Sequence, residues 1–359
     1  MDNDLSTKPT ILQVLPALEQ GGVERGTVEI DNALAEAGWN SIVVSAGGRL
    51  VKQLKGKHLQ LPLNTKNPAK ILFNAHILKF IIKENKVDIV HARSRAPAWS
   101  AYLAAKKRAH FVTTFHGTYS IGNDVKRKYN SVMTKGEKII AVSDFIRSHI
   151  IENYKIAPER IVTIHRGADL NKFNSNVEPI GLGLPSGKKI VMLPGRITRW
   201  KGQHIFVEAM RGLDALGVIV GDVENQNYLH ELEKTLPDNI IILPGTPDLP
   251  PVLANADVVV SASTRPEAFG RIAIEAQSMG KSVVATNIGG TLETVINGQT
   301  GIHVPPEDAQ AMREAITKLL STDMKSACIA NAAKFSTAKM CEKTLELYKS
   351  ILTPATPRT

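Results

Sequence analysis

Residues 256–280 read ADVVVSASTRPEAFGRIAIEAQSMG, and this stretch decides the fold class. Val258–Val260 form a short continuous apolar run, which is typical of a strand buried on both faces. A polar loop follows, and a helix is predicted from about Phe269–Gly270 onward. Its buried side is predicted to hold Ile272, Ile274, Ala276 and Met279. A buried strand, a loop and a helix in this order indicate a parallel α/β sheet.

The same alternation runs through the whole chain. The predicted strands of the first half are Ile11–Leu15, Ser41–Ser45, Val87–His91, Phe111–Phe115, Lys138–Val142 and Ile161–Ile164. Those of the second half are Lys189–Leu193, Gly217–Val220, Asn239–Leu243, Asp257–Ser261, Ser282–Ala285 and Gly301–Val304. Stretches in which apolar residues recur with helical spacing lie between several of these strands, as in Val23–Ala37 and Ile71–Lys83. We therefore predict two doubly wound, Rossmann-like domains that face each other across a cleft.

The domain boundaries are predicted from a loss of periodicity. Residues 177–189 are rich in Pro and Gly, which indicates a linker. The prediction is a first domain at 1–175, a linker at 176–189 and a second domain at 190–336. The remaining 337–359 would be a C-terminal helix, able to pack back on the first domain, and a disordered tail.

Composition narrows the class of protein. The chain has 359 residues, 43% of them hydrophobic and 22% charged, as expected for a globular protein of two domains. Two cysteines, Cys328 and Cys341, form neither a disulfide framework nor a metal-binding spacing, which suits a reducing compartment. We identify neither a signal peptide nor a membrane-spanning segment. The expected location is cytoplasmic.

The charge is unevenly distributed. Residues 1–175 contain 26 Lys and Arg against 15 Asp and Glu, a net charge of +11, and residues 176–359 carry −1, so the first half accounts for the whole net charge of +10. Nucleic acid, an anionic membrane surface and an anionic substrate are competing partners, beside a solvated basic face that binds nothing. Aromatic residues are only 5% and no recognition motif is present, so we expect no nucleic-acid partner.

Two carboxylates flank the start of the helix in the opening stretch. Glu267 lies in the loop and Glu275 lies within the helix, and eight helical residues advance about 12 Å and rotate about 80°. They are too far apart to share a proton, but each can accept hydrogen bonds from adjacent sugar hydroxyls. The helix N-terminus between them favours a phosphate. The pattern indicates a ligand with hydroxyls at both ends and phosphate in the middle, as in a nucleotide sugar.

A basic loop follows the first strand of the second half. Arg196 and Lys201 stand five residues apart among glycines, and a guanidinium with an ammonium suits a diphosphate. Gly21 and Gly22 open the first predicted helix, where a phosphate can reach backbone N–H groups; a tight turn is the alternative.

Polar residues also follow strands of the first half. His116 comes directly after a predicted strand and before a glycine, so it is expected at the ligand-binding edge of the sheet. His91, Arg93 and Arg95 occupy the corresponding end of the preceding strand. They are predicted either to face an anionic acceptor or to cap the next helix.

In these motifs the chain resembles the retaining glycosyltransferases of family 4, which have the GT-B fold. The resemblance rests on QGGVERG, TFHG, AVSDF, HRGADLNKF, GRITRWKGQ, RPEAFGRIAIEAQSMGKSVVAT, NIGGTLE and NGQTGIHVPPED. It covers nearly the whole chain. The sequence of the first half is similar to that of bacterial lipopolysaccharide-core transferases of the mannosyltransferase type.

The resemblance implies a role for each matching residue. Arg196, Lys201 and Gly22 would bind the donor diphosphate. Glu275 would hold the ribose hydroxyls, and His116 would contact the sugar near the reacting centre. Glu267 would hold the transferred sugar beside the backbone N–H groups of Phe269 and Gly270.

The resemblance also implies the chemistry. It implies retention of configuration and no obligatory cofactor or metal, with a nucleotide sugar as donor and GDP-mannose as the first guess. The one Asp-x-Asp sequence, Asp2–Asp4, lies at the terminus and is discounted. The acceptor is expected to be an anionic glycolipid of the cell envelope, bound by the first domain. The amphipathic residues 66–86 are predicted either to lie on an anionic membrane or to pack on the sheet.

Other functions stay open at this point. One is a nucleotide-sugar epimerase or small-acceptor synthase with the same fold. Another is a basic nucleic-acid-binding protein, and a third is an inactive interaction module.

Overall fold

The computed structural model describes residues 8–19, 21–119, 122–185 and 187–353. The chain divides into two compact units. The first comprises Met1–His165 with Met340–Thr359, and the second comprises Arg166–Lys339. The predicted Asp2–Asp4 sequence and the predicted tail from Pro354 lie outside the described residues.

The first unit is a seven-stranded parallel sheet in the order β3-β2-β1-β4-β5-β6-β7. Its strands are β1 (Thr10–Val14), β2 (Asn40–Ser45), β3 (Lys57–Gln60), β4 (Ile89–Ala92), β5 (His110–Phe115), β6 (Lys138–Ala141) and β7 (Ile161–Thr163). Its helices are α1 (Gly22–Glu36), α2 (Pro68–Glu84), α3 (Arg95–Ala105), α4 (Asp124–Asn130) and α5 (Asp144–Tyr154). The strand order reverses between β1 and β4, which is where such sheets bind ligands.

The second unit is a six-stranded parallel sheet in the order β10-β9-β8-β11-β12-β13. Its strands are β8 (Ile190–Pro194), β9 (Leu216–Gly221), β10 (Ile240–Pro244), β11 (Val258–Ser261), β12 (Ser282–Thr286) and β13 (Gly301–Val304). Its helices are α6 (Gln203–Met210), α7 (Gln226–Glu233), α8 (Pro250–Leu253), α9 (Arg271–Ser278), α10 (Thr291–Thr294), α11 (Ala309–Leu319) and α12 (Lys325–Ala332). Here the order reverses between β8 and β11.

The final helix, α13 (Thr337–Leu352), begins in the second unit and belongs to the first unit from Met340 onward. Tyr348 is fully buried and packs in one cluster with strand residues such as Ile11 and Ile89. The C-terminal helix therefore forms part of the first core.

Residues 176–189 contain neither helix nor strand among the positions described. They belong to the second unit, where Val177, Leu182 and Leu184 pack against its core. Asn255 donates to the carbonyl of Ile180 at 3.1 Å. The segment lies on the second unit along much of its length.

The fold class predicted from the sequence is confirmed: two doubly wound parallel α/β domains. All twelve predicted strands are present, with ends that agree or differ by at most two residues. β3 was not predicted, because KHLQ contains no apolar run and lies at the edge of its sheet. Among the described residues, no helix has the length and apolarity needed to cross a bilayer.

Candidate functional site

The carboxyl edge of the second sheet brings three loops together. They follow β8, β11 and β12, which are neighbours in the sheet. The loop after β8 carries Arg196 and Lys201, the loop after β11 carries Glu267, and the loop after β12 carries the paired glycines Gly289 and Gly290. This edge includes the point where the strand order reverses, so the sequence motifs meet where a ligand is expected.

Gly202 fixes the end of the loop that carries Lys201. It has a left-handed φ of 73° and caps α6. A Cβ placed on Gly202 would lie 1.9 Å from the carbonyl oxygen of Ala262. The backbone N–H of Thr264 donates to the carbonyl of Trp200 at 2.8 Å. The loop after β8 is thereby held against the loop after β11, and only glycine fits at the contact.

Glu267 lies in a buried polar cluster. Its Oε1 accepts hydrogen bonds from Nζ of Lys201 at 2.7 Å and from the hydroxyl of Ser263 at 2.5 Å. Burial alone would raise the pKa of this carboxyl, but the charge and hydrogen bond of Lys201 and the hydroxyls of Ser263 and Ser261 outweigh it, and the pKa is lowered. Glu267 is therefore ionised at neutral pH, and as a carboxylate it acts only as a hydrogen-bond acceptor, for example of sugar hydroxyls.

The glycine pair after β12 is bonded to the same loop. The N–H of Gly290 donates to the carbonyl of Glu267 at 2.8 Å. A Cβ on Gly290 would lie 2.5 Å from the Cα of Phe269, so this approach also requires glycine. The backbone around Glu267 is thus fixed from both sides.

Helix α9 positions the second predicted carboxylate. Gly270, at φ 81°, caps the helix without a side-chain hydrogen bond, and the ring of Phe269 is buried against Phe335, with ring centroids 5.6 Å apart. Glu275 is 6% exposed, and its Oε1 accepts from Nε of Arg271 at 2.8 Å. The aromatic ring anchors the turn in the core, so any contact by Phe269 with a ligand must come from its backbone.

Arg271 was not predicted from the sequence. It precedes Glu275 by four residues, and that spacing on a helix was the available signal. Arg271 is the first residue of α9, where a cation is unfavourable because the helix dipole is positive at that end. Ser263 was missed as well, because nothing near it in the sequence marks it as a partner of Glu267.

Arg196 lies on the same loop as Lys201 but is more exposed. Its guanidinium forms an ion pair with Glu224 at 2.9 Å, and the two side chains are 59% and 45% exposed. A pair this exposed contributes little to stability and separates readily. Arg196 is free to exchange its carboxylate partner for another anion.

In the first unit, three predicted residues follow the carboxyl ends of β1, β4 and β5. Gly22 is the first residue of α1, and His116 follows β5 directly and is half-buried. Arg95 opens α3, donates to Asn130 at 3.1 Å and lies 4.4 Å from the ring centroid of Tyr119. The phenol of Tyr119 has a backbone hydrogen bond with His116, and its burial raises its pKa to about 12.

His91 and Arg93 lie inside the first unit, not on its surface. His91 is fully buried, with Nδ1 2.6 Å from the hydroxyl of Tyr348 and Nε2 2.6 Å from that of Thr114. Burial, and then the charge of Arg93, lowers its pKa well below 6.5, so the ring is neutral. Arg93 is 5% exposed and donates to Gln13 at 3.3 Å. These positions leave neither side chain open to an acceptor, because α13 covers them.

The sequence was compared with known proteins. A family model for glycosyl transferases group 1 matches residues 174–335, and one for glycosyltransferase family 4 matches residues 20–172. The crystal structure of a glycosyltransferase from Rickettsia africae ESF-5 is 42% identical and has a TM-score of 0.90. The match covers 97% of this chain and 100% of that one.

Two other relatives are more distant. Anabaena HepE, solved in complex with UDP-glucose, shows the same fold with a TM-score of 0.80 at 22% identity, over 95% of this chain and 99% of that one. The D-inositol 3-phosphate glycosyltransferase of Corynebacterium urealyticum is 30% identical over 249 residues, or 62% of this chain. This chain spans 58% of that relative's length.

The two-sheet fold, the loops at the carboxyl edge and these matches place the chain in the group 1 glycosyltransferases of family 4, which have the GT-B fold. Enzymes of this class transfer a sugar from a nucleotide-sugar donor.

Proposed function

We propose that this chain is a retaining, metal-independent hexosyltransferase whose donor binds at the carboxyl edge of the second sheet. The observation that carries the proposal is the buried cluster of Lys201, Glu267 and Ser263, which is followed along the chain by the Arg271–Glu275 pair of α9. A buried cation that is paired with a buried carboxylate suits a ligand with both phosphates and hydroxyls.

Each residue has a proposed role. Glu267, with the backbone N–H groups of Phe269 and Gly270, holds the hydroxyls of the transferred sugar. Glu275 holds the ribose hydroxyls, in an orientation that Arg271 maintains. Arg196, Lys201 and Gly22 bind the diphosphate, and His116 contacts the sugar near the reacting carbon.

The charges account for the chemistry. Breaking the bond between sugar and phosphate builds negative charge on the departing diphosphate. Lys201 has three N–H donors and uses one on Glu267, so it can donate to the diphosphate as well. A cation already held by Glu267 needs little reorganisation as that charge develops, which is electrostatic preorganisation.

Retention of configuration is proposed to arise from attack on the face that the diphosphate leaves. The acceptor hydroxyl forms the new bond to the anomeric carbon, the bond from that carbon to the phosphate oxygen breaks, and the departing phosphate takes the acceptor's proton. A glycosyl adduct trapped on a side chain of this protein would exclude this course. The anomeric configuration of the product, read by NMR with EDTA present, tests retention and metal independence together.

The donor is proposed to carry a hexose, with GDP-mannose as the first candidate. UDP-glucose is the second, because it is the ligand in the complex of the Anabaena relative. A thermal-shift panel of nucleoside diphosphates and nucleotide sugars separates the two, since a ligand that binds only the native state must raise the melting temperature.

The acceptor is proposed to be an anionic glycolipid of the lipopolysaccharide core or another envelope glycan, used at the cytoplasmic face of the inner membrane. The excess of basic residues in 1–175 supports an anionic acceptor and an anionic surface. Three residues were predicted to contact the acceptor. This proposal keeps Arg95 and drops His91 and Arg93, because both are buried. Transfer to a lipid-extracted acceptor fraction tests it.

A small phosphorylated acceptor is the second candidate. The observation in its favour is the similarity to a D-inositol 3-phosphate glycosyltransferase. Transfer to inositol phosphate at a rate above that for the glycolipid would favour it.

A further inference from the structure

Helix α2 exposes large apolar side chains on the surface of the first unit. Leu72, Phe73 and Phe80 are 62%, 65% and 64% exposed. The opposite side of the helix is buried through residues such as Leu78 and Ile82. Isolated exposed apolar residues are ordinary, but three on one face of one helix mark a surface that contacts something else.

The same face carries cations. Lys79 follows Leu72 by seven residues and Lys83 follows Lys79 by four, so these side chains lie along one stripe of the helix with Phe73 and Phe80 beside them. Within the described part of the chain, no ion pair involves Lys79 or Lys83.

A groove of about 650 Å³ continues from this face. Lys79, Lys83, Lys86 and Arg108 line it, and Phe80 lies beside them. Asp88 is the one carboxylate in its lining, and one of its oxygens accepts from the backbone N–H of Thr10 at 2.8 Å. Four cations against one carboxylate make the groove a site for phosphate.

The groove lies at the edge of the sheet opposite to the one that carries His116 and Arg95. Lys86 and Arg108 come just before β4 and β5, at the amino ends of these strands. Basic residues precede or begin every strand of this sheet except β2. They are Lys8, Lys57, Lys86, Arg108, Lys138 and Arg160. Since parallel sheets bind substrates at their carboxyl edge, neither donor nor acceptor accounts for this charge.

We propose that this surface, α2 with its adjoining groove, docks the protein on a membrane and binds the phosphate of an anionic phospholipid. Leu72, Phe73 and Phe80 enter the boundary between headgroups and acyl chains, and Lys79, Lys83, Lys86 and Arg108 hold the phosphate. A soluble phosphate ligand would use the cations but leave the apolar side chains in water, which favours the lipid. The inference rests on the proposed function only in that a membrane-borne acceptor gives the docking its purpose.

The test is sedimentation of the full chain with vesicles of phosphatidylcholine alone or with about 30% phosphatidylglycerol, whose anionic headgroups give the surface a negative potential. One variant is Lys83→Glu with Lys86→Glu, and its matched control is Lys343→Glu with Lys349→Glu, two exposed lysines of α13. A second variant is Phe73→Ser with Phe80→Ser, and its control is Val125→Ser, which is 77% exposed. Circular dichroism and melting temperature check that each variant folds.

The wild type is expected to bind the anionic vesicles and to be released by salt. Since each lysine near such a surface contributes about fivefold, the Lys83/Lys86 variant should lose at least about 25-fold in partitioning. The Phe73/Phe80 variant should lose a similar factor, and both controls should bind as the wild type does. Variants that bind as well as their controls would overturn the proposed surface.

Two further outcomes would show that the ligand of this surface is not a lipid. If inorganic phosphate or glycerol phosphate protects Lys83 and Lys86 from acylation while vesicles do not bind, the ligand is soluble and the lipid assignment is wrong. Binding to an RNA duplex in place of vesicles would overturn the lipid assignment too.

Donor-induced thermal shift is measured on every variant. A variant that loses vesicle binding but keeps the donor-induced rise in melting temperature has lost docking alone. If the donor does not raise the melting temperature of the wild type, the proposed donor site is contradicted, and the docking result is unaffected.

Discussion

Nζ of Lys201 lies 2.7 Å from Oε1 of Glu267, and the two side chains are only 16% and 13% exposed. They come from different loops, the one after β8 and the one after β11. Each is a charge that burial would disfavour without the other. The pair therefore joins the two loops and also prepares the site for an anionic ligand.

Lys201→Met should destabilise the protein, because it leaves the carboxylate of Glu267 buried without its cation. The loss in the free energy of unfolding is expected to be about 3 kcal/mol. Urea denaturation measures it. The control is Lys188→Met, which breaks an equally short but exposed pair with Asp214 and should change nothing measurable. Equal effects of the two substitutions would show that burial does not make the Lys201–Glu267 pair important.

The contribution of Glu267 should depend on pH in a defined direction. Its pKa is lowered in the folded protein from 4.5, so its stabilising effect is fully present above that value and is lost as pH falls through the lower, folded-state pKa. Unfolding curves of the wild type and Glu267→Gln, measured from pH 7 downward, should differ most at neutral pH and converge in acid. A gap that widens in acid would mean that the pKa is raised, not lowered.

Gly202 and Gly212 provide a matched pair of substitutions. Both have φ 73°, but a Cβ on Gly202 meets Ala262 at 1.9 Å, whereas one on Gly212 meets nothing within 4 Å. Gly212→Ala should cost only the left-handed backbone strain, about 1 kcal/mol. Gly202→Ala should cost about 1–3 kcal/mol more, because the loop with Lys201 must move. Chemical denaturation compares them, and equal losses would show that the close approach is not needed.

Arg271→Ala should raise the KM for the donor and leave kcat little changed, because Glu275 loses the group that orients it while the reacting bond is untouched. Arg271→Lys should recover part of the effect. Arg211→Ala, which removes an exposed partner of Glu208, is the control and should have no effect. A fall in kcat at unchanged KM would instead place Arg271 in the transition state.

The sequence predicts the fold better than it predicts the partners of single side chains. Continuous apolar runs mark buried strands wherever they occur, whereas β3 escapes because an edge strand need not be apolar. His91 was predicted either to face an anionic acceptor or to cap the next helix, because it stands near a strand end. Its partner is Tyr348, 257 residues away, and no local pattern shows that α13 covers that strand.

In the candidate site, too, some residues could be selected from the sequence and others could not. Lys201, Glu267 and Glu275 could be selected because loops after parallel strands converge at one edge. Ser263 could not be assigned as a partner of Glu267, since its role depends on a side-chain direction that exists only once the loop is packed. Arg271 could have been found, because it precedes Glu275 by four residues on a helix.

The proposed function requires the second unit to bind a nucleotide-sugar donor through Glu267 and Glu275. The most direct measurement is calorimetric titration of GDP-mannose and UDP-glucose into the wild type, Glu275→Gln and the exposed control Glu233→Gln. One donor should bind the wild type and the control alike and should bind Glu275→Gln at least about tenfold more weakly, because a charged hydrogen bond is lost. Equal binding to all three proteins, or binding of neither donor to the wild type, would contradict it.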